Sequence, residues 1–166
     1  TVSAADGLAA AGLADGRRLA LYGSSAGGYT VLNTLIRHPG KFRAAIDAYG
    51  VSNLFKLDED THKFERYANA RLIGPLPQAA EKYRDWSPEF HADAIRDPLA
   101  IFQGENDPVV PKSQSDAIAA ALRRNGIPHL YRVYPGEGHR FRKSETRLDF
   151  ILSMERFLQE HLSLDK

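Results

Sequence analysis

Four short apolar runs, each closing on a glycine, constrain the fold of this chain more than any other feature. The runs are Arg18–Gly23, Ala44–Gly50, Leu99–Gly104 and Leu130–Gly136. Three are nearly continuous, which is typical of strands covered on both faces, whereas the fourth alternates and is expected at a sheet edge. Helical patterns follow three of the runs, at Ala26–Arg37, Ser113–Asn125 and Ser144–Leu162. Strand followed by helix, repeated, predicts an α/β fold with a parallel sheet.

The composition is typical of a soluble globular domain and excludes several classes of function. The 166 residues, 43% of them hydrophobic and 26% charged, are enough for one domain with a sizeable core. A formal net charge of +1 gives no support to nucleic-acid binding, and the absence of cysteine excludes disulfides and thiolate metal sites. No stretch resembles a signal peptide or approaches the roughly 18 apolar residues of a membrane span. We therefore expect a cytoplasmic protein that binds neither nucleic acid nor membrane.

Residues 52–98 interrupt the alternation of strands and helices. This interval is rich in aromatic residues and prolines. A connection that long is usually functional, often a lid or pocket wall with short helices of its own, although an ordinary helical insertion is the alternative. We expect residues 1–166 to form a single domain in which residues 52–98 are a helical insertion that lines the substrate pocket.

Residues 23–27, Gly-Ser-Ser-Ala-Gly, match the G-x-S-x-G pattern where the first run meets the first helical pattern. In a nucleophile elbow this turn lifts a serine hydroxyl clear of the sheet, and glycines two positions to either side avoid a clash. The register selects Ser25, because Ser24 would need glycines where Tyr22 and Ala26 stand. The Ala26 backbone N–H is then expected at the oxyanion site. A glycine-rich, phosphate-binding turn is the alternative.

A serine nucleophile needs a base, and the base needs an acid that orients it. Asp107 follows the third run in the sequence Gly-Glu-Asn-Asp-Pro, and His139 follows the fourth in Pro-Gly-Glu-Gly-His. Because both residues and Ser25 come directly after predicted strands, we expect them at one edge of the sheet, where open α/β folds place their sites. The pattern predicts acyl transfer through a Ser-Asp-His triad.

Other candidates for the acid and the base are weaker. The remaining histidines lie in or beside helical or polar segments, where surface positions are the ordinary expectation: His38, His62, His91, His129 and His161. Glu105 also follows the third run, but Asp107 lies deeper in the turn. Asp47 lies inside the second run and is interpreted as a hydrogen-bonded structural aspartate, although an acid near the second strand is another known arrangement. No grouping has metal-ligand spacing, so we expect neither a metal nor another cofactor.

Five stretches resemble, in the same order, the catalytic domain of prolyl-oligopeptidase-type serine peptidases. They are GSSAGGY, RHPGKFRAAIDAYGVSNL, SPEFHADAIRDPLAIFQGENDPVVP, LRRNGIP and YPGEGHRF. The acylaminoacyl-peptidase and dipeptidyl-peptidase branches are the most similar, and the likeness runs from about Asp15 to about His161. The resemblance implies an α/β-hydrolase fold that cleaves peptide or acyl-aminoacyl bonds. It also assigns Ser25, Asp107 and His139 as nucleophile, acid and base.

By the same resemblance, the segment after the second run lines the pocket for the residue before the scissile bond. Val51, Leu54 and Leu57 match these pocket positions. Their aliphatic side chains imply that an apolar substrate side chain is accepted. One methylene changes discrimination in such a pocket by only about 1–3 kcal/mol, so the implied specificity is loose.

Two features depart from the family pattern. Val109 stands two positions after the aspartate, where many of these peptidases have a polar residue. Ser24 and Ala26 flank the nucleophile where peptidases often have larger residues, and the wording SSAGG is also similar to carboxylesterases. A carboxylesterase with the same triad and a non-catalytic hydrolase fragment that binds a partner are therefore the alternative functions.

The number of predicted strands implies only part of a hydrolase sheet. A complete sheet has about eight strands, and by resemblance the others lie N-terminal, together with the loop that carries the second oxyanion donor. The run Arg18–Gly23 would then have an unpaired apolar edge. Losing one oxyanion donor typically costs about 10²–10³ in rate. We expect residues 1–166 to be the C-terminal part of a hydrolase domain, weakly active alone and either self-associated or bound to an N-terminal half.

Overall fold

The structure is a computed structural model that describes residues 1–60 and 68–163. The described helices are α1 (Val2–Ala10), α2 (Ala26–Arg37), α3 (Leu54–Asp60), α4 (Ala68–Leu72), α5 (Ala80–Trp86), α6 (Lys112–Arg124) and α7 (Ser144–Leu162). The strands are β1 (Ala20–Ser24), β2 (Ala44–Ala48), β3 (Leu99–Gly104) and β4 (His129–Tyr134), and a 3-10 helix spans Pro88–Ala94.

The described strands form one sheet in the order β1-β2-β3-β4, and every neighbouring pair is parallel. The predicted α/β fold with a parallel sheet is confirmed, and β4 lies at a sheet edge as its alternating pattern indicated. Because parallel strands end at the same side of a sheet, the turns after β1, β2, β3 and β4 meet there. These turns carry the candidate functional residues.

Helices cover both faces of the sheet, as expected for strands that are apolar on both sides. On one face, α2 and α6 pack on the sheet through an apolar cluster that includes Val31, Leu32, Leu35, Leu99, Ile101, Ile118 and Leu122. On the other face, α7 packs on β2, β3 and β4 through a second cluster that includes Ile46, Phe102, Tyr134, Phe150 and Phe157. The site therefore lies on a sheet held between two helical layers.

The sequence patterns locate the elements around the site closely. Helices α2 and α7 and strand β3 have the predicted bounds, and the other predicted elements, β1, β2, β4 and α6, differ by one or two residues at their ends. Residues 52–98 contain α3, α4, α5 and the 3-10 helix, with 61–67 outside the described residues. Among the described helices, none combines the length and apolar composition required to cross a membrane.

Candidate active site

The turn between β1 and α2 holds Ser25 in a strained conformation. Ser25 has φ 54° and ψ −120°, in the left-handed half of conformational space that side chains usually avoid. Its N–H donates to the Ala48 carbonyl at 3.0 Å, which ties the turn to β2. A Cβ at Gly23 would collide with the Gly27 carbonyl. This is the backbone geometry of a nucleophile elbow.

Gly27, the second glycine of the G-x-S-x-G pattern, was predicted to avoid a steric clash, and the structure does not show that clash in the part of the chain that it describes. A Cβ added at Gly27 would meet no atom of the described residues within 4 Å. The crowded position is the next one, because a Cβ at Gly28 would collide with Asp47 and with the Gly50 backbone. The steric demand therefore comes from packing of α2 against the turn after β2, which a local pattern does not reveal.

The loops after β3 and β4 approach each other closely. A Cβ at Gly104 would collide with the Gly138 carbonyl, so this contact requires a glycine. The Asn106 N–H donates to the Glu137 carbonyl at 2.8 Å. These backbone contacts bring the loop that carries Asp107 next to the loop that carries His139.

The structure places the three predicted triad residues in one hydrogen-bonded chain. Ser25 Oγ lies 2.8 Å from His139 Nε2, and His139 Nδ1 lies 2.9 Å from Asp107 Oδ2. The Asp107 side chain is fully buried, whereas 19% of the His139 side chain is exposed. The imidazole thus connects a buried carboxylate to a serine at the surface of the sheet edge.

The Asp107 carboxylate accepts hydrogen bonds from the backbone and from a side chain besides His139. Oδ1 accepts from the Val109 and Val110 backbone N–H groups at 2.8 and 2.9 Å, and Oδ2 accepts from Gln103 Nε2 at 3.3 Å. Since the carboxylate is an acceptor, it favours the His139 tautomer with hydrogen on Nδ1. Val109 contacts Asp107 through its backbone N–H. This hydrogen bond does not need the polar side chain that many of these peptidases have at this position.

Gln103 was missed by the sequence analysis, although a polar residue inside a buried run was a usable signal. Its amide oxygen accepts from the Ser115 hydroxyl at 2.8 Å, and its amide nitrogen donates to the Val110 carbonyl at 3.0 Å. These contacts fix the orientation of the fully buried amide. Gln103 therefore connects the carboxylate of Asp107 to helix α6.

The other acids considered lie elsewhere. Glu105 accepts from the Gly136 N–H at 3.1 Å and so joins the two loops. Asp47 is buried in β2, where burial raises its pKa to about 7 and the neighbouring Gly50 N–H partly opposes that rise. Its Oδ1 has no hydrogen-bond partner among the described residues. The Gly50 N–H agrees with the interpretation of Asp47 as a hydrogen-bonded structural aspartate, and the Oδ1 atom does not contribute to it.

The other histidines also lie away from the triad in the described part of the chain. His38 ends helix α2, His129 contacts the Ile127 carbonyl at 2.7 Å, and His161 packs on Phe157. His91 lies in the 3-10 helix. His62 lies outside the described residues.

The predicted pocket residues lie together in one apolar cluster, which contains Val51, Leu54 and Leu57. Val109 and Val110 from the loop after β3 belong to the same cluster, which places it close to the buried carboxylate. Val51 and Leu54 are only 7% and 6% exposed. Only a small part of the surface of these two residues is therefore accessible.

Gln114 of α6 anchors the segment that carries these residues. Its amide oxygen accepts from the Ser52 and Asn53 backbone N–H groups at 2.8 and 2.9 Å. The Leu54 N–H donates to the Ser87 hydroxyl at 2.9 Å. The position of the apolar cluster thus depends on α6 and on the residues that precede the 3-10 helix.

A cavity of about 740 Å³ lies beside His139, between the loops after β3 and β4. Arg140, Arg142 and Lys143 line this cavity. Glu137 also lines it, but its carboxylate accepts from two backbone N–H groups of the same loop at 2.9 Å, which help to lower its pKa below the usual range. Among the described residues, no group of three or more His, Asp and Glu side chains is arranged to hold a metal ion.

A parallel sheet with a strained serine elbow, flanked by helices on both faces, defines the α/β-hydrolase fold. The model of the prolyl oligopeptidase family matches residues 1–165, and the chain belongs to that family. Among its curated relatives, dipeptidyl aminopeptidase BIII of Pseudoxanthomonas mexicana is 36% identical over 151 residues, which are 87% of this chain and 22% of that protein. Dipeptidyl peptidase family member 6 of Caenorhabditis elegans is 34% identical over 157 residues, covering 91% of this chain and 21% of that protein.

Solved structures agree with this assignment. A puromycin-hydrolyzing peptidase of Mycobacterium tuberculosis has a TM-score of 0.94 and 39% identity, over 99% of this chain and 25% of that one. A puromycin hydrolase has a TM-score of 0.88 and 36% identity, over 95% of this chain and 24% of that one. The chain therefore spans about a quarter or less of the length of the relatives it matches.

Proposed function

We propose that this chain carries the nucleophile, base and acid of a serine peptidase. The observation that carries the proposal is the hydrogen-bonded chain from Ser25 through His139 to Asp107 at the carboxyl end of the sheet. Membership of the prolyl oligopeptidase family supports peptide bonds as the substrate class. The relatives described above are peptidases and puromycin hydrolases by name, which favours a peptidase over a carboxylesterase.

In the acylation step, His139 Nε2 takes the Ser25 hydroxyl proton as Oγ attacks the substrate carbonyl carbon. The Asp107 carboxylate holds the imidazole in the competent tautomer and stabilises the imidazolium that forms. When the tetrahedral intermediate collapses, the C–N bond breaks and the imidazolium gives its proton to the leaving amine. Water then attacks the acyl-enzyme with His139 again as base, which releases the acid and restores the Ser25 hydroxyl.

The developing oxyanion needs hydrogen-bond donors in place before the reaction. Ala26 begins helix α2, so its N–H is among the first-turn groups that lack a partner within the helix. This N–H directly follows the nucleophile and is the proposed oxyanion donor. The positive end of the helix dipole adds to the effect.

The apolar cluster after β2 suggests the substrate preference. Val51, Leu54 and Leu57 are proposed to contact the side chain that precedes the scissile bond. Val51 and Leu54 are buried aliphatic residues without a hydrogen-bonding group. We therefore expect the substrate to carry an apolar residue before the scissile bond. The leaving amine lies on the His139 side, because that residue must protonate it.

Turnover of aminoacyl 4-nitroanilides by the intact polypeptide that carries this chain tests the proposal. Substrates with leucine, alanine or lysine before the scissile bond separate apolar from charged preferences. We expect leucine to be preferred over lysine and Ser25→Ala to lower kcat by about 10⁴-fold or more, with Ser24→Ala as the matched control. Turnover of acyl esters without any turnover of the anilides would contradict a peptidase.

A further inference from the structure

Tyr49, immediately after β2, has a backbone conformation that aromatic residues rarely adopt. Its φ is +44°, in the left-handed region where a bulky side chain is an outlier. Strained backbone of this kind persists only where surrounding structure enforces it, and it is concentrated at functional sites. The sequence analysis did not single out this residue.

Contacts on both sides of Tyr49 prevent its backbone from relaxing. The Tyr49 N–H donates to the Phe102 carbonyl at 2.7 Å, and the preceding carbonyl accepts from the Ser25 N–H at 3.0 Å. A Cβ on Gly28 would collide with the Gly50 Cα, so the helix after the elbow packs directly on this turn. The turn is fixed to β3 on one side and to the elbow on the other.

The enforced conformation brings the Tyr49 ring next to the imidazole of His139. The two ring centroids are 4.9 Å apart, with 57° between the ring planes. Phe141 supports the Tyr49 ring from another side, in an edge contact with centroids 5.3 Å apart. The Ser24 side chain lies beside the phenol, and burial raises the pKa of Tyr49 above its ordinary value, which keeps the group neutral.

We propose that Tyr49 is a positioning residue that holds the His139 ring toward Ser25 and stabilises its protonated form. The inference rests on the proposed function, in which His139 becomes an imidazolium during each acyl transfer. An aromatic ring attracts a cation that lies over its face within about 6 Å of the ring centroid, whereas an aliphatic side chain of similar bulk does not. The ring therefore favours the transition state over the resting state, in which the imidazole is neutral.

Three substitutions at position 49 separate the contributions of ring, bulk and backbone. Tyr49→Phe keeps the ring, Tyr49→Leu keeps apolar bulk without the ring, and Tyr49→Gly removes the side chain while relieving the positive φ. Phe141→Leu is the matched control, because it removes a ring from the same aromatic group without removing the one that faces His139. The charged groups around His139 stay unchanged in all four variants, namely Asp107, Glu137, Arg140, Arg142 and Lys143.

The measurements are kcat, KM and the pH dependence of kcat/KM, whose acidic limb reports the base in the free enzyme. We expect Tyr49→Leu to lower kcat about tenfold with little change in KM, and to move the acidic limb to lower pH. Tyr49→Phe and Phe141→Leu are expected to keep the wild-type limb. Tyr49→Gly is expected to have a lower kcat than the wild type, although its backbone is less strained.

Two results would overturn the inference. One is an unchanged kcat and acidic limb in Tyr49→Leu, and the other is a loss in Tyr49→Phe as large as that in Tyr49→Leu, which would place the role in the hydroxyl. Tyr49→Gly keeps the test decisive if Tyr49→Leu fails to fold. Failure of the proposed function is distinguishable, because the wild-type protein would then show neither turnover nor labelling of Ser25.

Discussion

The contact between Asp107 and His139 Nδ1 favours the imidazole tautomer with hydrogen on Nδ1, because a carboxylate accepts hydrogen bonds. Its Oδ1 accepts from the Val109 and Val110 N–H groups, so an asparagine at this position would keep its amide oxygen there. The amide nitrogen would then face His139 Nδ1 as a donor. That contact stabilises the tautomer with hydrogen on Nε2, which is unable to take the proton of Ser25.

We therefore expect Asp107→Asn to lower kcat by about 10⁴-fold while the melting temperature stays close to that of the wild type. Glu105→Gln is the matched control, because Glu105 lies on the same loop and accepts from Gly136 rather than from His139. Steady-state kinetics and thermal unfolding give both quantities. Near-normal activity in Asp107→Asn, with a large loss in Asp47→Asn or Glu105→Gln, would show that the acid is wrongly assigned.

At the scale of the elements, strand β2 and helix α2 are in contact at a buried acid, Asp47. Burial raises the pKa of Asp47 from 3.8 to about 7. Between these two values the folded protein keeps the proton while the unfolded chain releases it. The contribution of this group to the free energy of unfolding therefore falls as the pH rises from about 4 to about 7, and is constant above that.

The predicted consequence is a pH-dependent effect of Asp47→Asn. Relative to the wild type, the variant is expected to gain up to about 3 kcal/mol in the free energy of unfolding between pH 4.5 and pH 8. Asp97→Asn is the control, because Asp97 is also buried but its carboxylate accepts from the Gly40 and Phe42 N–H groups. We expect this substitution to lower the free energy of unfolding. Urea unfolding at both pH values measures the difference. An equal effect of Asp47→Asn at pH 4.5 and pH 8 would contradict the account.

The elements around the site were predictable because their signals are local. Short apolar runs ending in glycine, three nearly continuous and one alternating, located the strands, and apolar residues at helical spacing indicated the bounds of α2 and α7. Helix α1 was not predicted, because four of its nine residues are alanine and Val2 alone among its side chains packs against the apolar cluster that includes α2. The roles of Gly28 and Tyr49 depend on packing between the turn after β2 and the nucleophile elbow. These two segments are far apart in the sequence, so no local pattern predicts their contact.

At the scale of the whole molecule, the helical cover over the sheet is uneven. Tyr22 of β1 pairs in register with Ile46, which lies beneath α7, yet 57% of Tyr22 is exposed. Leu148 and Ile151 of α7 are 59% and 53% exposed. Within the described sheet, β1 has a partner on one side alone. An unpaired apolar strand edge and exposed apolar side chains are both features that favour association.

We expect the isolated 166-residue chain to self-associate or to require a partner that covers this surface, and to be weakly active. Tyr22→Lys should weaken self-association, because a charge on an edge strand opposes pairing. Leu72→Gln is the control, since Leu72 is 79% exposed but lies in α4, outside this surface. Sedimentation velocity over a range of concentrations measures the effect. A monomer at every concentration with a full hydrolytic rate would contradict the prediction.

We expect Ser25 to be activated by His139 and Asp107, and covalent labelling of the serine measures this activation. A fluorophosphonate reacts with an activated serine, so intact-mass analysis of the intact polypeptide should show one adduct, and peptide mapping should place it on Ser25. We expect Ser24→Ala to keep the adduct and Ser25→Ala to lose it. An adduct that persists in Ser25→Ala would contradict the account.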